Sequence, residues 1–176
     1  MSKKMMILNQ IKEQFNFIND PIPSGWRQNA RNLWISKQKL IDKGIISTRL
    51  YGKLAYKSGS FVEYQLGSKK ENDIIVDGIK QEVKQITVTN KEKHRINQIR
   101  PKQNWRDLIV VLIFSNQEKI YKISKDDLIS KVENGMGSVV MPGGKTRQHL
   151  ANVAGSGWQL DLTLDEIEEN FELLFH

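Results

Sequence analysis

Asn72-Asp73-Ile-Ile-Val-Asp77-Gly78-Ile-Lys-Gln-Glu82-Val83-Lys84 is the stretch whose reading decides how the centre of this chain folds. Asp77-Gly78 is a strong signal for a two-residue hairpin turn, and its apolar flanks, 74–76 and 79–83, read as the two strands. Counting outward through that turn sets Val76 opposite Ile79, Ile75 opposite Lys80, Ile74 opposite Gln81 and Asp73 opposite Glu82. Cross-strand partners have Cβ atoms about 4.5–5.5 Å apart, and Lys84, two residues beyond Glu82, points to the same side of the sheet. Two facing carboxylates repel unless something positive lies between them. A hard divalent cation such as Mg²⁺, which takes oxygen ligands from carboxylates, water and phosphate, is the natural occupant.

The rest of the chain bounds what surrounds this motif. Its 176 residues make one domain of ordinary size, and 39% hydrophobic with 27% charged residues is globular composition. With 27 Lys and Arg against 20 Asp and Glu, the net charge of +7 favours a polyanionic partner, nucleic acid ahead of membrane. There is no cysteine, so disulfides, thiolate zinc sites and a cysteine nucleophile are excluded. No apolar stretch approaches the ~18 residues of a membrane span, and residues 1–18 do not resemble a secretory signal. A cytoplasmic protein is expected.

The element order follows from periodicity and punctuation. Helical spacing over residues 5–18 and again over 28–43, the second closed by Gly44, predicts two N-terminal helices within residues 1–46. Residues 47–66 read as helical around Glu63, ended by Gly67. Ile86-Thr-Val-Thr89 prolongs the second hairpin strand, Lys91 to Arg100 reads as a short basic helix or loop, and Asp107 to Phe114 is a continuous apolar run that suits a strand buried on both faces. A strand over 119–123 and a helix from the Ser124 cap to Val132 complete a core spanning about 47–132. The remainder, 133–176, contains a glycine-rich basic loop and a helix opened by the capping box Thr163-Leu-Asp-Glu166 and running to Phe175. The sum is a single α/β domain, a mixed central sheet flanked by helices.

Asp73, the eight-residue interval and Glu82-Val83-Lys84, with Glu63 upstream and a basic segment leading to a buried strand downstream, resemble the PD-(D/E)xK nuclease superfamily. Type II restriction endonucleases and Holliday-junction resolvases belong to it. The resemblance covers roughly residues 59–123, and the family's proline before the first acidic residue is Asn72 here. It implies a restriction-endonuclease-like core in which Asp73, Glu82 and the Val83 carbonyl ligate Mg²⁺, with Mn²⁺ as a substitute. It further implies that Lys84 positions the attacking water and compensates charge on the phosphate, that Glu63 completes the acidic cluster, and that Gln85 borders the site.

Phosphate contacts are expected from the densest basic segment, Lys93, His94, Arg95, Arg100, Lys102 and Arg106, from Lys69 and Lys70 just before the site, and from Lys145 and Arg147 in the glycine-rich loop. Ordinary solvated faces would show the same charges. Pro142-Gly-Gly-Lys-Thr146 lacks the first glycine and leading strand of a phosphate-binding loop, and the three histidines lack metal-ligand spacing. The expectation is therefore a Mg²⁺-dependent DNA endonuclease, in the form of a type II restriction enzyme of a restriction–modification system acting as a homodimer on a palindromic duplex site. A junction-selective repair nuclease and a non-catalytic DNA-binding protein are the alternatives.

Overall fold

The Asp77-Gly78 turn carries φ values of 50° and 79°, the doubly left-handed backbone of the turn type that suits the twist of paired strands. It joins β2 (Ile74–Val76) to β3 (Ile79–Thr87), and the register is the one counted from the sequence, with Ile74 opposite Gln81, Ile75 opposite Lys80 and Val76 opposite Ile79. The computed structural model describes residues 43–65, 72–114, 117–141 and 147–176. The helix expected over 5–18 lies outside those residues, and so does that expected over 28–43 except for Lys43.

β3 continues past its hairpin partner and pairs in parallel with β5 (Asp107–Ile113), from Gln81 opposite Asp107 to Thr87 opposite Ile113. β5 pairs antiparallel with β6 (Glu118–Ser124), and the short strands β1 (Val62–Tyr64) and β9 (Glu172–Phe175) form the edges of a six-stranded mixed sheet ordered β1-β2-β3-β5-β6-β9. Residues 107 to 112 are all buried, as a strand covered on both faces requires. Helix α1 (Lys43–Lys57) covers one face through Leu50, Tyr51 and Ala55, which meet Ile74, Val76, Val83, Ile109, Val111 and Ile120. A three-stranded antiparallel sheet, β4 (Lys93–Ile99), β8 (Trp158–Thr163) and β7 (Ser138–Val140), and helix α2 (Lys125–Glu133) cover the other. There Ile96, Ile99, Trp158, Leu160 and Leu128 pack against Ile86, Leu108, Val110 and Ile123. The chain between the parallel strands β3 and β5 thus crosses through a strand of the second sheet.

Several elements depart from the sequence expectations, each for a local reason. Gly44, expected as a helix stop, lies inside α1, and the true stop is Gly59 at φ 97°, where the Ser60 N–H reaches back to the Ala55 carbonyl at 3.0 Å. Gly52 is tolerated within the helix because a Cβ there would run into the Tyr64 ring and hydroxyl. Glu63 is therefore not helical but central in β1, opposite Ile75. Residues 93–99 form a strand rather than a helix or loop, with His94, Ile96 and Ile99 buried and Lys93, Arg95, Asn97 and Gln98 exposed. The Thr163–Glu166 capping box forms as expected, yet α3 (Leu164–Asn170) ends after two turns and the chain pairs with the open edge of β6 as β9. The Asn170 amide, bonded to the Glu166 carbonyl at 2.8 Å, helps close that helix.

Candidate active site

β2 ends as a ladder at Ile74, and the side chain of Asp73 takes over where the strands part. The Asp73 N–H bonds the Gln81 carbonyl at 3.0 Å, a one-residue slip from the pairing of Ile74 with Gln81, while Oδ2 of Asp73 accepts the Val83 N–H at 2.8 Å. The carboxylate thus stands in for a backbone carbonyl and is held at the middle of β3. In a strand a residue's N–H and C=O face the same neighbour, so the Val83 carbonyl also lies on the Asp73 side. Alternation along β3 puts Lys80, Glu82 and Lys84 on the face turned toward the second sheet, because Val83 between them joins the α1 core.

On that face the Lys84 amine lies 3.7 Å from Oε1 of Glu82, with only 20% and 15% of the two side chains exposed. Burial holds Lys84 below the ordinary lysine range. The negative charges of Glu82 and Asp73 pull it back up, and Arg100 pushes it down. Four charged groups of both signs therefore act on one another in a partly desolvated spot. Arg100 is supplied from beyond the end of β4. Its backbone carbonyl accepts the Trp105 indole N–H at 2.9 Å, one guanidinium nitrogen bonds Gln98 at 3.0 Å, and its Nε is buried without a hydrogen-bond partner among the described residues.

Two carboxylates of hard oxygen donors beside a strand carbonyl suit a Mg²⁺ ion that keeps water and phosphate oxygens as its remaining ligands. Among the described residues a fuller acidic cluster does not form. Glu63 lies on β1, exposed and two strands from β3, and among the described residues no group of three or more His, Cys, Asp or Glu is placed to hold a metal. Gln85 points to the opposite face from Lys84 and accepts a hydrogen bond from Ser47 of α1. It borders the helix and not the carboxylates.

The expected phosphate-binding residues divide sharply. Arg95 is committed to a bidentate pair with Asp161 across β4 and β8, at 2.8 and 3.0 Å, which holds the Asp161 carboxyl below its usual range. Arg147 donates to the carbonyls of Val132, Met136 and Gly137 at 3.0, 3.5 and 2.7 Å, closing the C-terminal end of α2. His94 is buried, and its Nε2 accepts the Thr89 N–H at 3.0 Å. Lys93 bonds Ser138 at 2.9 Å and stays exposed, as do Lys102 and Arg106. Lys69, Lys70 and Lys145 lie outside the described residues.

Sequence reasoning missed two features. On the α1 side, the Tyr51 hydroxyl donates to Gln81 at 2.7 Å and Gln81 to the buried Asp107 at 3.4 Å, and burial foremost pushes the tyrosine up to about 12. On the other face, a cleft of about 490 Å³ opens beside the hairpin turn, lined by Lys80, Asn104, Trp105, Arg106 and Lys125 among others. The Lys80-x-Glu82-x-Lys84 alternation was the available signal for it.

No protein-family model and no curated protein matches the chain. One solved structure that does match is that of a bacterial homing endonuclease, I-Ssp6803I, with a TM-score of 0.42 and 24% identity over 53% of this chain and 70% of that one.

Proposed function

We propose that the protein is a metal-dependent DNA endonuclease, with Asp73, Glu82 and Lys84 as its catalytic centre. The observation that carries this reading is the placement of Asp73 against the backbone of Val83, next to Glu82, with the Lys84 amine 3.7 Å from the Glu82 carboxylate. A bound Mg²⁺, held by Asp73, Glu82 and the Val83 carbonyl, would polarise a phosphoryl oxygen and acidify a water. Lys84 then serves as a hydrogen-bond donor to the phosphate, and in a site this short of water such a donor is worth more than it would be in bulk solvent. Arg100, acting on Lys84 from the second sheet, adds positive charge where a phosphate must enter. The net charge of +7 supports a polyanionic substrate.

In its finer form the reading is a type II restriction enzyme that cuts a short duplex site as a homodimer, one centre for each strand. The test is cleavage of mixed-sequence duplex and of branched DNA, in Mg²⁺, Mn²⁺ and chelator. Discrete fragments from duplex are expected, with Lys84→Ala lowering the rate by about 10²–10³, the usual effect of removing one such donor. Nicking confined to junctions would replace the restriction enzyme by a structure-selective nuclease. DNA binding without cleavage in either metal would refute the enzyme.

A further inference from the structure

The cleft beside the hairpin turn plays no part in the chemistry above, yet it lies on the same face of β3. Lys80 and Glu82 are two residues apart on one strand, so the cleft begins about 6.6 Å along the sheet from the carboxylates. Its walls are tied together by backbone. The Arg106 N–H bonds the Lys80 carbonyl and the Lys125 N–H bonds the Arg106 carbonyl, both at 2.7 Å. The Lys125 amine is turned inward to the carbonyls of Pro101 and Gln103, at 2.9 and 2.7 Å, and sits 4.5 Å from the centre of the Trp105 ring.

That arrangement decides what the cleft offers. Trp105 is 3% exposed and one face is covered by Lys125, so no aromatic surface is presented for a base to stack on. What remains toward solvent is cationic and polar. Lys80 is exposed with no side-chain partner among the described residues, Arg106 has 67% of its side chain exposed with one 3.5 Å contact to Asp107, and Asn104 is exposed beside them. Asp126 is the single acidic group in the lining.

We infer that this cleft is a backbone subsite, in which Lys80, Arg106 and Asn104 hold a phosphate of the DNA strand adjacent to the phosphate at Asp73, Glu82 and Lys84. The inference rests on the nuclease reading for its second phosphate, but its own chemistry is anion binding. Because it reads phosphate and not bases, its contribution is the same for every DNA sequence.

The test compares Lys80→Gln/Arg106→Gln with Lys53→Gln/Lys57→Gln, an equal loss of charge on exposed positions of α1, across the sheet. Binding of a short mixed-sequence duplex is measured in chelator as a function of salt, and cleavage in Mg²⁺. The cleft variant is expected to bind about tenfold more weakly than the control, with a salt slope smaller by about 1–2, and to raise KM while keeping kcat. Equal binding by the two variants overturns the subsite and leaves the nuclease intact. Weaker binding by the cleft variant, in a protein whose wild type does not cleave, upholds the subsite and fails the nuclease. A loss that varies with the base sequence overturns backbone recognition.

Discussion

Asp73→Asn separates what the acidic pair does for the fold from what it does for a metal. Asp73 and Glu82 both act on Lys84, and two like charges about 5–7 Å apart cost about 2–3 kcal/mol at an effective dielectric constant of ~20. Lys84, 3.7 Å from Glu82, offsets part of this. Asparagine removes the repulsion and keeps an oxygen for the Val83 N–H, exchanging a charged hydrogen bond of roughly 1.5–3 kcal/mol for a neutral one of about 1 kcal/mol. The variant should therefore be as stable as wild type in chelator, or up to about 1 kcal/mol more stable. Asp73→Ala relieves the same repulsion but strands the Val83 N–H at a cost of about 1–3 kcal/mol, so it should melt below Asp73→Asn by about 2–12 °C for a domain of this size. Thermal unfolding in chelator and in millimolar Mg²⁺ gives the readout, alongside cleavage. Wild type should gain stability with Mg²⁺, neither variant should, and both should be inactive. A wild type indifferent to Mg²⁺, together with an asparagine variant less stable than the parent, would show that Asp73 is only a strand-end cap.

Gly78→Ala places a side chain at φ 79° and should cost about 1–2 kcal/mol by urea unfolding, whereas Gly78→Asn should cost less because asparagine tolerates that backbone. Arg147→Ala loses three contacts to the end of α2 and should destabilise by about 2–3 kcal/mol while leaving the salt dependence of DNA binding unchanged; a shallower slope would make Arg147 a phosphate ligand after all. Burial, with a smaller push from Lys91, holds the His94 imidazole below its usual 6.5, so between that lower value and 6.5 the unfolded chain binds more protons than the folded one. Stability is full above pH 6.5 and falls as the pH drops through this window, until the folded imidazole also protonates. His94→Gln should flatten that part of the curve of melting temperature against pH.

The parts of the fold legible in the sequence are those written by neighbours along the chain. Asp77-Gly78 sets its own register, Ser124 caps α2 by accepting the Asp127 N–H at 3.1 Å, and the Thr163 and Glu166 side chains close their box within four residues. Gln85 was expected at the border of the site, although strand alternation alone sends it away from Lys84. Glu63 reads as helical only if the helix runs on through Gly59, and the structure stops it there, with the Ser60 N–H bonded back to Ala55 before β1 begins. Residues 93–99 were misread because their strand character depends on Asp161 and its neighbours, 66 residues away for the Arg95 pair.

The sequence alone determined the register of the Asp77-Gly78 hairpin and that Glu82 and Lys84 fall on one face of its second strand, because turn type and the two-residue repeat of a strand are local properties. The tertiary structure decided what that face looks into. Packing of the second sheet and α2 on the first places Arg100 near Lys84, commits Arg95 to a carboxylate and Arg147 to carbonyls, and leaves Lys80 and Arg106 lining an open cleft. Which cations are spent on the fold and which remain for a ligand depends on contacts between distant segments, and no spacing along the chain encodes it.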